Sequence, residues 1–110
     1  MNTDMREIEV TIDEVKHVIH IGELVQQLED TPVFKELITD GYFKTEAARL
    51  VMLKADPTMQ TPEKQAGLEK DMLGISVLGE FLRNRKMLAR MAQDSLEAHE
   101  RTREELRAEA

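Results

Sequence analysis

The chain has 110 residues, of which 41% are hydrophobic and only 4% aromatic, and it carries a formal charge of −7 at neutral pH. That length allows one domain with a modest core. The lack of cysteine removes disulfides, thiolate metal sites and a cysteine nucleophile, and the acidic balance argues against general affinity for nucleic acid, which needs a clustered basic surface.

No apolar run approaches the roughly 20 residues that cross a bilayer. Met1-Asn2-Thr3-Asp4-Met5 lacks the basic and apolar regions of a signal peptide. The expectation is therefore a protein without a membrane partner that stays where it is made.

In chain order, Ile8, Val10 and Ile12 alternate with Glu9 and Thr11, the period of a short strand or an extended lead-in. Residues 1–11 are accordingly expected to form an extended acidic arm. Thr11 and Glu14 have the spacing of a capping box, which predicts a first helix beginning near Ile12. Val15, Val18, Ile19, Ile21, Gly22, Val25 and Leu28 form its apolar stripe. Thr31-Pro32 starts a second helix, with threonine as N-cap and proline at the first helical position. Val33, Phe34, Leu37 and Ile38 give it an apolar face, and Gly41 is placed to end it in a left-handed turn.

A third helix is predicted from about Tyr42 to Ala55, stopped by Asp56-Pro57 because the residue before proline avoids helical angles. The short loop to Thr61 makes the third and fourth helices antiparallel neighbours. Thr61-Pro62 then opens a pattern without further proline. A helix from Pro62 to near Arg107 would be roughly 65 Å long. Its inner stripe is expected along Leu68, Met72, Ile75, Leu78 or Gly79, Leu82, Leu88 or Ala89, Ala92 and Leu96. Beyond Leu96 the sequence is mostly charged. The predicted fold is all-α: a long C-terminal helix packed on two or three shorter ones as an antiparallel hairpin or bundle. The helical domain spans 12–96, and 97–110 form a charged helical extension.

Few residues suggest chemistry. His17 and His20, with Asp13 and Glu23, could bring two imidazoles and a carboxylate to one side of the first helix, but they lack H-E-x-x-H spacing. They are read as surface or boundary histidines, and no metal or cofactor is expected. Ser76 and Ser95 lack a nucleophile-elbow context, and there is no glycine-rich phosphate loop. The chain is therefore read as not an enzyme. Arg83, Arg85, Lys86 and Arg90 form the one basic cluster, of which Arg83, Lys86 and Arg90 share a helical face. Together with Leu78 and Leu82 in the expected seam, those three cations are the candidate partner-binding residues, directed at an acidic protein surface rather than at nucleic acid.

The run Phe34-Lys35-Glu36-Leu37-Ile38, then Asp40-Gly41-Tyr42-Phe43, Glu46-Ala47-Ala48-Arg49-Leu50-Val51 and Ala55-Asp56-Pro57, resembles small helical proteins encoded by tailed bacteriophages. The similarity covers roughly Val10 to Ala92 and rests on structural residues, so it transfers no catalytic position. It implies a protein made in the bacterial cytoplasm during infection, acting in capsid or tail assembly or incorporated into the virion. The expected partners are further copies of the chain, another phage structural protein, or both. The alternative is a small phage inhibitor that binds a host enzyme.

Overall fold

A computed structural model describes residues 3–109, and all regular structure among them is helical. Helix α1 spans Thr3–Glu29, α2 is a single turn over Pro32–Phe34, and a π-helix follows over Lys35–Glu46. Helix α3 covers Ala47–Leu53, a 3-10 turn covers Pro57–Met59, and α4 runs over Pro62–Glu109. The all-α prediction with a long C-terminal helix holds. At 48 residues, α4 measures about 72 Å.

Three local expectations are corrected. The described part of the expected arm is helical, because α1 begins at Thr3; the first two residues lie outside the described range. Ile8 and Ile12 are one helical turn apart and turn inward with Met5, while Val10 is exposed, so the apparent strand alternation was part of a helical period. Thr11 is consequently no N-cap: its hydroxyl donates to the Glu7 carbonyl at 3.0 Å, the back-bond of a mid-helix threonine. Gly41 does not terminate a helix either. Among the described residues none has the positive φ that a left-handed cap requires, and the backbone passes through Gly41 in the wider π winding until α3 begins at Ala47.

The third helix likewise starts at Ala47, continuous with the π-helix, rather than at Tyr42, whereas the predicted caps at Thr31 and Thr61 and the stop before Pro57 stand. Thr31 caps α2 by accepting from the Phe34 N–H at 3.1 Å, and its own hydroxyl donates to Leu28 O at 2.8 Å. Thr61 accepts from the Lys64 N–H at 3.3 Å and begins α4. Between α3 and α4 the free carbonyls are taken up by side chains. Gln60 Nε2 donates to Lys54 O and Asp56 O at 2.9 and 2.7 Å, and Gln65 Nε2 donates to Lys54 O and Met59 O at 3.1 and 2.7 Å. Lys64 Nζ donates to Thr58 O at 2.8 Å. The turn thus satisfies from within the groups that a helix end leaves open.

The chain divides into two units, Met1–Gln26 with Asn84–Ala110, and Gln27–Arg83. The first is an antiparallel helix pair. On α1, Met5, Ile8, Ile12, Val15, Ile19 and Gly22 are buried or half-buried at alternating steps of three and four. On α4, Ala89, Ala92, Leu96, His99, Arg103 and Leu106 repeat the same steps. A 3.5-residue period is the signature of helices that supercoil about each other. Gly22 faces Ala89, and Glu9 reaches Arg107 at 4.0 Å, which fixes the antiparallel direction. Small residues at Gly22, Ala89 and Ala92 bring the backbones close at one end, and Ile12, 1% exposed, is the most deeply buried side chain of the pair.

The second unit packs the π-helix and α3 antiparallel to the first part of α4. Lys54 Nζ bonds Glu69 at 3.0 Å near one end, and a Cβ at Gly74 would lie 3.5 Å from the Tyr42 hydroxyl farther along. Phe34, Leu50, Leu68 and Leu82 are its buried core. Met72, Ile75, Leu78 and Gly79 are half-buried on the same side of α4.

Candidate functional site

The predicted basic cluster lies on a continuous helix, but its members have different surroundings. Arg83, at the end of the second unit, is exposed and paired with Glu80 one turn earlier. Lys86 and Arg90 belong to the first unit, where they line an open groove of about 310 Å³ with Glu23, Gln26 and Gln93, floored by Gly22 and Ala89. Lys86 is half-buried and Arg90 is exposed. The groove exists because Gly22 and Ala89 hold the helices close, leaving the longer polar side chains to stand along its sides. Its mixture of cations, a carboxylate and amides can hold a polar or acidic segment in hydrogen bonds.

Leu78 and Leu82 do not form an outward seam. Leu82, 6% exposed, belongs to the core of its own unit, and Leu78 is half-buried beside it. The exposed apolar face of α4 in this unit is instead the opposite one. Leu73, Val77 and Phe81 recur every fourth residue and are 62%, 58% and 50% exposed. The inward stripe through Leu68, Ile75 and Leu82 and this outward stripe lie about half a turn apart at 100° per residue. The reading from sequence found the inner stripe and missed the outer one, whose signal was the four-residue spacing of three large apolar side chains. Val33 and Leu37 are exposed as well, beside Glu36 and Gly41 at a shallow surface depression.

The polar side chains of the second unit are paired locally. Arg49 bonds Glu46, which together with the nearby Asp71 raises the guanidinium's pKa. These residues, with Tyr42 and Lys70, border a second groove of about 270 Å³. The Thr58 hydroxyl and N–H donate to Asp56 at 2.6 and 2.8 Å and hold its carboxyl below the usual carboxylate range. His17 and His20 are both exposed on α1, and among the described residues no group of three His, Cys, Asp or Glu side chains is placed to hold a metal ion. No helix among them is long and apolar enough to cross a membrane.

The structure therefore offers a polar groove on the helix pair and an apolar stripe on the second unit. No protein-family model matches the chain, and no curated protein or solved structure matches it significantly.

Proposed function

We propose that the chain is a non-enzymatic bacteriophage protein, a virion component or assembly factor, that acts through helix-mediated contacts with other protein in the cytoplasm of the infected bacterium and in the particle. The observation that carries the contact reading is the outer stripe of α4. Leu73, Val77 and Phe81 form a contiguous apolar row on a helix whose other side is already packed, and such rows mark interaction surfaces. The phage assignment rests on the resemblance of the run from Phe34 to Pro57. Partners in this reading are further copies of the chain, another phage structural protein, or both, with Arg83, Lys86 and Arg90 as secondary polar contacts. Nucleic acid, membrane, metal and cofactor have no part in it.

Mass spectrometry of purified particles, together with fractionation of infected cells, tests the proposal. Stoichiometric copies in the particle, or co-migration with capsid or tail intermediates, are the expected result. Absence from both, with the chain recovered on a host enzyme, would replace this reading with that of an inhibitor.

A further inference from the structure

We infer that the second unit holds a winding switch: Lys35–Glu46 passes between the π register of the structure and an α register that turns a different set of apolar side chains inward. This goes beyond the contact reading above and does not rest on it. The helical path is continuous from Pro32 to Leu53, with helical backbone angles at both junctions, Phe34 and Ala47. In the π register Phe34 and Leu50 are buried, and Ile38, Phe43 and Ala47 are half-buried between them. Their spacing is about four residues, against 3.6 for an α-turn, so the wider winding is what aligns them.

Wound as α at about 100° per residue, the same stretch sets Phe43 about 180° and Leu50 about 160° away from Phe34. Leu37, Ile38, Gly41, Ala48 and Met52 then lie within about 60° of Phe34. In the present register Leu37 and Met52 are 65% and 76% exposed. One stretch of chain thus carries two overlapping amphipathic patterns, which share Phe34 and Ile38 and exclude each other's remaining large side chains. Two packings so closely matched in apolar content are the condition for a bistable element. No side chain within Lys35–Glu46 is fully buried, so the winding is held from its ends, and the turns before Pro32 and after Leu53 can take up the rotation. Gly41 biases the balance toward π. A Cβ there would stand 3.1 Å from the Glu36 carbonyl oxygen, five residues earlier and closer than ordinary contact, whereas alanine is the better α-helix former. Rewinding withdraws Leu37 and Met52 and brings out Phe43 and Leu50, so the unit presents one apolar surface at a time.

Thiol labelling tests the inference, since the chain has no cysteine of its own. Ala47→Cys reports the α register, because residue 47 is half-buried in the π register and about 140° from Phe34 in the other. Ile38→Cys is the control, inward in both. Helix register shifts take microseconds to milliseconds, faster than labelling, so the rate follows the population of the α register. Gly41→Ala should raise labelling at Ala47→Cys about fivefold or more, the factor that the helix propensity of alanine over glycine supplies by itself, and should leave Ile38→Cys unchanged. Met52→Lys puts a charge on a side chain that is exposed now and inward in the α register. It should lower labelling at Ala47→Cys about tenfold, a readout that holds even if Gly41→Ala fails to fold. Labelling that rises at Ile38→Cys and Ala47→Cys together reports local unfolding and overturns the switch. Labelling at Ala47→Cys that either substitution leaves unchanged overturns it as well.

Discussion

Gly22 shows how one missing side chain sets the spacing of the helix pair. A Cβ added there would collide with the Ala89 Cβ and stand 3.3 Å from the Arg85 carbonyl oxygen, so backbone as well as side chain crowds it. Gly22→Ala should therefore destabilise the protein by about 1–3 kcal/mol in urea melts, the usual cost of overpacking, despite the better helix propensity of alanine. Adding Ala89→Gly should return part of the loss, a coupling that a double-mutant cycle measures. Gly67 is the contrasting case. A Cβ there meets nothing within 4 Å, so Gly67→Ala should stabilise by up to about 1 kcal/mol. Gly22 was legible in the sequence as part of a buried stripe, since its spacing from Ile19 and Val15 is helical. Its close contact was not, because it depends on which residue of a distant segment faces it. At Asp56 the hydrogen bonds from Thr58 lower the carboxyl pKa in the folded state. A group whose pKa is lower folded than unfolded stabilises the fold above its unfolded value, near 4, and that contribution vanishes as the pH falls through the folded value. Wild-type stability should thus lose its advantage over Asp56→Ala as the pH drops below about 4, followed by thermal melts at successive pH values. An advantage that persists unchanged well below that pH would remove Asp56 as the cause.

At the scale of elements, α4 has two apolar faces in the second unit, and substitutions should distinguish them. Leu82→Asp puts an unpaired charge in a site that is buried, at a cost of several kcal/mol against a total stability of about 5–15 kcal/mol. Its helical circular dichroism and cooperative melt should be lost. Val77→Lys on the outer face should retain both. A cooperative wild-type melt in Leu82→Asp would mean that the inner face is assigned wrongly. The N-caps, the proline stops and the inner stripe of α4 were readable because each is a local device: Thr31 and Thr61 act on N–H groups three residues on, and Asp56-Pro57 restricts its own backbone. The winding around Gly41 was not readable. Glycine marks a helix end only where the chain needs a left-handed angle, and here the chain widens its winding from Lys35 to Glu46 instead of turning. The strand-like alternation at residues 8–12 misled for a related reason. Five residues fit both periods, and only Met5 together with Val15 and Ile19 extends the inward set with helical steps. The outer stripe escaped notice because an exposed apolar face has the same composition as a packed one. Burial alone separates Val77 from Leu78.

Over the whole molecule, large apolar side chains remain exposed in both units: Leu24, Leu88 and Met91 in the first, and Val33, Leu37, Leu73 and Val77 in the second. Such surface is costly to leave against water and is the physical basis for association. Charge gives a second handle, because the two kinds of contact respond oppositely to salt. An uncharged seam between chains of net charge −7 is relieved of repulsion when salt screens it, whereas a contact built on Arg83, Lys86 and Arg90 weakens. The same three cations on an acidic chain are too few for the phosphate contacts that tight nucleic-acid binding uses. The most direct measurement is sedimentation equilibrium of the wild-type chain at low and at about 1 M salt, where the Debye length falls to about 3 Å, with labelled DNA or RNA included in a parallel series at physiological salt. The account predicts a self-associated protein whose affinity holds or rises with salt and which leaves the nucleic acid sedimenting free. A chain that is monomeric alone, and that co-sediments with nucleic acid through Arg83, Lys86 and Arg90, would contradict it.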